Sequence, residues 1–296
     1  MTIEKNFESL NSNSNTSEEK EATLTDIFES LNNNSNITLE GKEAIETLLL
    51  KIINAYPDID LNNLNPKIST LEFVEEGGKY LFNGVINYNP NANKISFSEK
   101  NIEQYDQKNL LTNVLIKLCF SNQKNFKENE ENYEALYEGT IAQMANMLVG
   151  NDKEKVFNQE ELYEANLISA IVGFDAVEKA FKTKDYSELS KIIGIKDICD
   201  KMTYSYIKKI NQKSADETNF KKVEQNLIDL LFSEKRDSSQ ISFFEMNLVD
   251  NKNYMNNPEY YTDLDDLHEF YFNKKNMYIQ KFYPQKFGIN EQAKVK

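Results

Sequence analysis

The sequence predicts an α+β fold, with a small antiparallel or mixed sheet followed by a mostly helical domain. Three observations carry this prediction. Residues 70–97 hold short alternating runs cut by Gly77-Gly78 and by "NPNAN", the pattern of strands joined by turns. A helix-period stretch, "TLEGKEAIETLLLKIINAYP", stands before them. From about Gln104 onward apolar residues recur at helical spacing with few breaks.

Taken in order, the first segment contains a repeat: "FESLNSNSN" at 7–15 returns as "FESLNNNSN" at 28–36. Asn/Ser tracts favour local side-chain to backbone bonds over helix, so residues 1–37 read as a flexible linker. The alternative is a short docking motif presented twice, with Phe7, Leu10, Phe28 and Leu31 as anchors. Order is expected from Thr38, an N-cap candidate. Ile45, Leu48, Leu49, Ile52 and Ile53 then fall on one helix face, and Pro57 ends that helix. "PDIDLNNLNP" starts like a calcium loop, but Asn63 stands where the loop needs Gly and Ser69 where it needs Glu.

Three strands follow within 70–97, with a change of face near Gly84 that suggests a bulge. Helices are expected at 105–120, 133–149, 159–171, 174–182 and 186–193, with more in 195–232. Gly173 and Gly194 are plausible stops. A domain is thus expected over 38–235, and an aromatic-rich helical region over 236–296 packs on it. In that tail "TDLDDLHEFYF" offers Thr262 or Asp263 as an N-cap, with acidic residues in the first turn.

Composition narrows the function classes. The formal net charge is -14, which argues against nucleic acid and anionic membrane surfaces as partners. Arg236 is the only arginine and His268 the only histidine, so chemistry that needs two imidazoles is excluded. His268 beside Asp265, Asp266 and Glu269 reads as a surface residue. Cys119 and Cys199 read as small core residues. No Gly loop has phosphate-binding spacing, and no GxSxG elbow occurs. The N-terminus has no apolar signal core and no run is long enough to span a bilayer. A soluble, cytoplasmic protein is the expectation.

One helix pair is distinctive. On a wheel of 105–120, Leu110, Leu111, Val114, Leu115 and Leu118 cover one arc, with Thr112, Ile116 and Cys119 at its edge. In the second helix Leu136, Ile141, Met144, Ala145 and Leu148 form the buried arc, with Glu138 at its edge. Two such helices should pack, so that their edge residues share a pocket.

The order helix, strands, "NLLTNVLI", loop, "ALYEGTIAQMA" and then "IVGFDAVEKAF" resembles a bacterial zincin-type metallopeptidase of the gluzincin kind, over residues 40–200. That family carries HExxH on one helix and a metal-binding Glu on a following one. The resemblance sets its first His on Thr112, its catalytic Glu on Asn113, its second His on Ile116 and its "EG" on Glu138-Gly139. This chain lacks the motif itself. Ile116 has no donor atom, a Thr112 hydroxyl is a poor zinc ligand, and Asn113 cannot take a proton from water.

The resemblance therefore implies a degenerate member with a zincin-like fold, no catalytic residue, no metal and no cofactor. Its cleft, bordered by a strand from 79–97, would hold a peptide or protein partner by strand addition. Two alternatives stay open. One is a hydrolase with a non-zinc site, using Glu138 or His268. The other is a helix-rich interaction or scaffold protein without peptidase ancestry, contacting partners through its aromatic tail and "FESLN" segments.

Overall fold

The computed structural model describes residues 16–75, 86–97, 105–121, 133–152, 158–192, 194–210, 217–254 and 264–283. The first "FESLN" copy, the Gly77-Gly78 turn, the change of face at Gly84 and the N-cap candidates Thr262 and Asp263 lie outside them. Among the described residues the chain is mostly helical with one small mixed sheet, an α+β arrangement. It divides into two compact units, Met1–Asn122 with Ala145–Lys153, and Gln123–Met144 with Glu154–Lys296.

In the first unit, helix α1 (Thr16–Asn33) precedes α2 (Leu39–Ala55) and α3 (Leu61–Thr70). Helix α1 corrects the expectation that order begins near Thr38. Leu24, Ile27, Phe28 and Leu31 repeat at three- and four-residue spacing and are buried. Each such burial is worth about 1.5–3 kcal/mol, enough to outweigh the local preferences of the Asn/Ser tract behind them. The chain's own helix α3 is what they pack on. Thr38 does cap α2, its hydroxyl accepting from the Gly41 N–H at 3.2 Å, and α2 ends before Pro57. The calcium-like stretch runs through a turn at 57–59 into helix α3, with the Asp60 carboxylate accepting from the Asn63 N–H. Asp60 starts a helix there and does not build a calcium loop.

Strands β1 (Glu72–Glu75), β2 (Ile86–Asn89) and β3 (Lys94–Phe97) form a sheet in the order β1-β3-β2. β1 runs parallel to β3, Glu72 opposite Lys94, and β2 antiparallel, Ile86 opposite Phe97. The "NPNAN" turn closes on Asn93, which adopts φ 48°, a left-handed conformation that Asn tolerates better than most residues. Its amide donates to the Lys67 carbonyl at 2.7 Å and the Thr70 hydroxyl at 2.8 Å, and its oxygen accepts from the Tyr88 hydroxyl. One turn residue thereby ties the sheet to α3. Helix α4 (Gln107–Phe120) packs on α2, α3 and β2.

Helix α5 (Glu134–Val149) carries the chain from the second unit into the first, its last residues belonging with α4. The second unit continues with α6 (Gln159–Val172), α7 (Phe174–Thr183), the single turn α8 (Ser187–Ser190) and α9 (Ile195–Ile210). Helices α10 (Glu217–Ser233), α11 (Ser238–Tyr254) and α12 (Leu264–Phe282) complete it. Helix α6 is central, packing on α7, α9, α10 and α11, while α12 packs on α10. Tyr133 stacks on Tyr186 at 4.6 Å, and Phe232 meets the rings of Tyr271 and Tyr278. Much of the aromatic tail is therefore core. Arg236 donates to the carbonyls of Ile171 and Leu231, binding the C-terminal ends of α6 and α10. No helix among the described residues is long and apolar enough to cross a membrane.

Candidate functional site

Helix α4 starts at Asp106, whose carboxylate accepts from the N–H of Asn109 at 2.9 Å and of Asp152 at 3.0 Å. Burial alone would raise the Asp106 pKa. The backbone N–H groups of Asn109, Asp152 and Lys108, with the Lys108 charge, outweigh that and hold it below the ordinary 3.8. A lowered folded value means stability that is present above the unfolded pKa and lost as pH falls through the folded one. Asp106→Ala is expected to cost about 1 kcal/mol at neutral pH. The gap in melting temperature from the parent should close once the pH falls below Asp106's lowered range. A gap that stays constant on acidification counts against the cap.

One turn on, Asn109 is buried and donates from its amide to the Asn146 Oδ1 and the Gly150 carbonyl, both at 2.7 Å. It also accepts twice from Asn113, whose Nδ2 lies 2.9 Å from both its carbonyl and its Oδ1. Sequence reasoning passed over this chain of asparagines. In an Asn-rich composition a single Asn carries no signal, and only the partner three dozen residues away marks it.

Thr112, Asn113 and Ile116 all sit at 0% exposure. From Asn109 onward helix α4 is buried nearly all round, with Leu111 and Lys117 the half-buried exceptions. The Thr112 hydroxyl donates to the Lys108 carbonyl at 2.7 Å, one turn back on its own helix. The Asn113 Oδ1 is buried with no hydrogen-bond partner. Ile116 offers only hydrocarbon. The site of the resemblance thus holds one hydroxyl already in use, one neutral amide and one alkyl group, and these do not fit a zinc ion. Cys119 nearby is buried and its thiol is pushed up to about 12 by that burial, with the Lys67 charge opposing. It is a packing residue with almost no thiolate.

Glu138 belongs to the second unit, on the first half of α5. It is 8% exposed, so it is not a solvated helix edge. Its Oε2 accepts from the Asn158 amide at 3.1 Å. Asn158 stands in the left-handed region just before α6, with its side chain turned to Glu138 instead of capping the helix. Burial raises the neighbouring Tyr137 hydroxyl pKa, and the Glu138 charge adds to it. Tyr137 packs on Phe181 at 4.9 Å, with the Lys184 ammonium over its ring. Gly139 meets α6 directly: a Cβ there would come within 2.0 Å of the Glu161 carbonyl oxygen.

His268 is half-buried on α12 and its Nε2 has no hydrogen-bond partner, so it is less exposed than its acidic neighbours suggested. Among the described residues no group of three or more His, Cys, Asp or Glu side chains is placed to hold a metal ion. No family model, no curated protein and no solved structure matches this chain.

Proposed function

We propose that this chain is a non-catalytic, peptidase-like protein that binds an extended peptide segment of a partner at the edge of its sheet. The reading rests on one observation. Among the described residues β1 pairs only with β3, and its backbone has a definable outer side. The Glu72 N–H donates to the Asn93 carbonyl at 3.3 Å, which turns Glu72 and Val74 toward β3. In a strand, alternate residues face opposite ways, so the N–H and C=O of Phe73 and Glu75 point outward, where an added strand would bond. The sealed side chains of α4 support the non-catalytic half of the reading, because the position matched to a general base carries an amide.

The test uses the full chain and an arrayed peptide library, with zinc content measured on the same preparation. Glu75→Pro removes one outward N–H at an edge, where proline is tolerated. It should weaken peptide capture tenfold or more while leaving the melting temperature nearly unchanged. Equimolar tightly held zinc, or capture indifferent to Glu75→Pro, overturns the reading.

A second reading, an interaction protein without peptidase ancestry, is favoured by Phe243 and Met246. These share a face of α11 and remain 38% and 52% exposed. Loss of partner capture on Phe243→Asp, with Glu75→Pro silent, selects it.

A further inference from the structure

The duplicated segment shows its binding mode in one copy. In residues 28–36, Phe28 and Leu31 are buried against the first unit's core, where α1 packs on α3. Asn34 is also buried, and its amide donates to the carbonyls of Ile68 at 2.9 Å and Leu71 at 3.0 Å. Those carbonyls lie at the C-terminal end of α3, where Ile68 also accepts from the Leu71 N–H at 3.5 Å. The Asn34 oxygen accepts from the Asn36 N–H at 2.8 Å, which turns the chain toward α2. Two apolar anchors, one asparagine that caps a neighbouring helix and one turn-closing asparagine make up the contact.

Residues 7–15 carry all of these at the same spacing: Phe7 for Phe28, Leu10 for Leu31, Asn13 for Asn34 and Asn15 for Asn36. The two segments differ only at Ser12 against Asn33, and Asn33 is exposed. The match extends upstream, where Ile3 corresponds to buried Leu24 and Thr2 to Thr23. One buried position is lost, since Asn6 stands where Ile27 is fully enclosed. Phe28, Leu31 and Asn34, the buried residues of 28–36, all have identical counterparts in 7–15.

We infer that the groove along α3 is a two-ligand site, and that residues 7–15 of the same chain are its second occupant. Residues 28–36 hold it in the state described, because Ile27 adds apolar burial that Asn6 cannot supply. When Phe7, Leu10 and Asn13 take the anchor positions, residues 16–36 leave as a loop that returns to Ile37. Closing that loop is a cost the described state does not carry, though it grows only slowly with length, and it adds to the preference for residues 28–36. The tether also keeps the second ligand at high local concentration. The exchange releases a copy of "FESLNNNSN" with its anchors exposed.

A double-mutant cycle on the full chain tests this. Phe7→Ala alone should leave the melting temperature within about 1 °C of the parent, while in a Phe28→Ala background it should lower it by several degrees more. Hydrogen exchange gives a second readout: amides of residues 7–15 should be more protected in Phe28→Ala than in the parent. If Phe28→Ala does not fold, the milder pair Asn34→Ala and Asn13→Ala runs the same cycle. Additive effects with no gain of protection overturn the inference. Protection that appears only as the chain becomes dimeric overturns the assignment to the same chain.

Discussion

Gly139→Ala is expected to destabilise the second unit by about 2–3 kcal/mol, lowering its melting temperature by roughly 5–10 °C. Helix propensity alone predicts the opposite, since alanine is favoured over glycine inside a helix by about 1 kcal/mol. The packing reverses the sign. An added Cβ would lie 2.0 Å from the Glu161 carbonyl oxygen, 2.6 Å from its carbon and 2.9 Å from the Ala165 Cβ. The first two belong to the backbone of α6, which cannot turn aside as a long side chain does. Helix α6 would have to move away from α5, and α6 is the element on which α7, α9, α10 and α11 pack. Gly194→Ala is the control. There φ is +89° and nothing lies within 4 Å of the added atom, so only backbone strain is felt, and the loss should stay near 1 kcal/mol. Thermal melts followed by circular dichroism decide it. An unchanged or raised transition for Gly139→Ala would falsify the close approach of the two helices.

The same glycine shows what the sequence made legible. The letters of Glu138-Gly139 stood out through a family resemblance, and the structure gives Gly139 a packing reason that any two closely crossing helices could share. Periodicity located α2, α4, α5, α6 and α7 to within about two residues, because each has a dominant apolar arc. It placed Thr112 and Ile116 at the edge of the apolar arc of α4 without showing that both are fully enclosed. On a helix buried on almost every side, polar residues look surface-bound until their bonds are seen. Helix α1 was hidden by the Asn/Ser tract after it, although Leu24, Ile27, Phe28 and Leu31 already had the right spacing. Helix α3 was hidden by Pro66 and by acidic residues that suggested a metal loop. In each case a local preference was outweighed by a tertiary contact whose partner lies far along the chain.

Two asparagines one turn apart on α4 should respond in opposite ways. Asn109→Ala is expected to cost about 2–3 kcal/mol. It deletes the donor to Asn146 and Gly150 and the side-chain acceptor of Asn113, and it leaves a buried hole where an amide was. Those bonds also hold residues 145–153 to the unit that contains α4, so the loss should appear as faster hydrogen exchange in that segment. Asn113→Leu is expected to be nearly neutral, within about 1 kcal/mol. It fills a similar volume with hydrocarbon at a position of 0% exposure and removes an Oδ1 that has no partner. It abandons two acceptors on Asn109, the carbonyl, which lies inside the helix ladder, and the Oδ1. If Asn113→Leu costs as much as Asn109→Ala, then its oxygen binds something, and the amide at this position is there for a ligand instead of being tolerated by the core. If both substitutions are silent, the asparagine chain contributes nothing to the fold, and residues 145–152 are held by their other contacts, the Asp152 N–H on the Asp106 carboxylate among them.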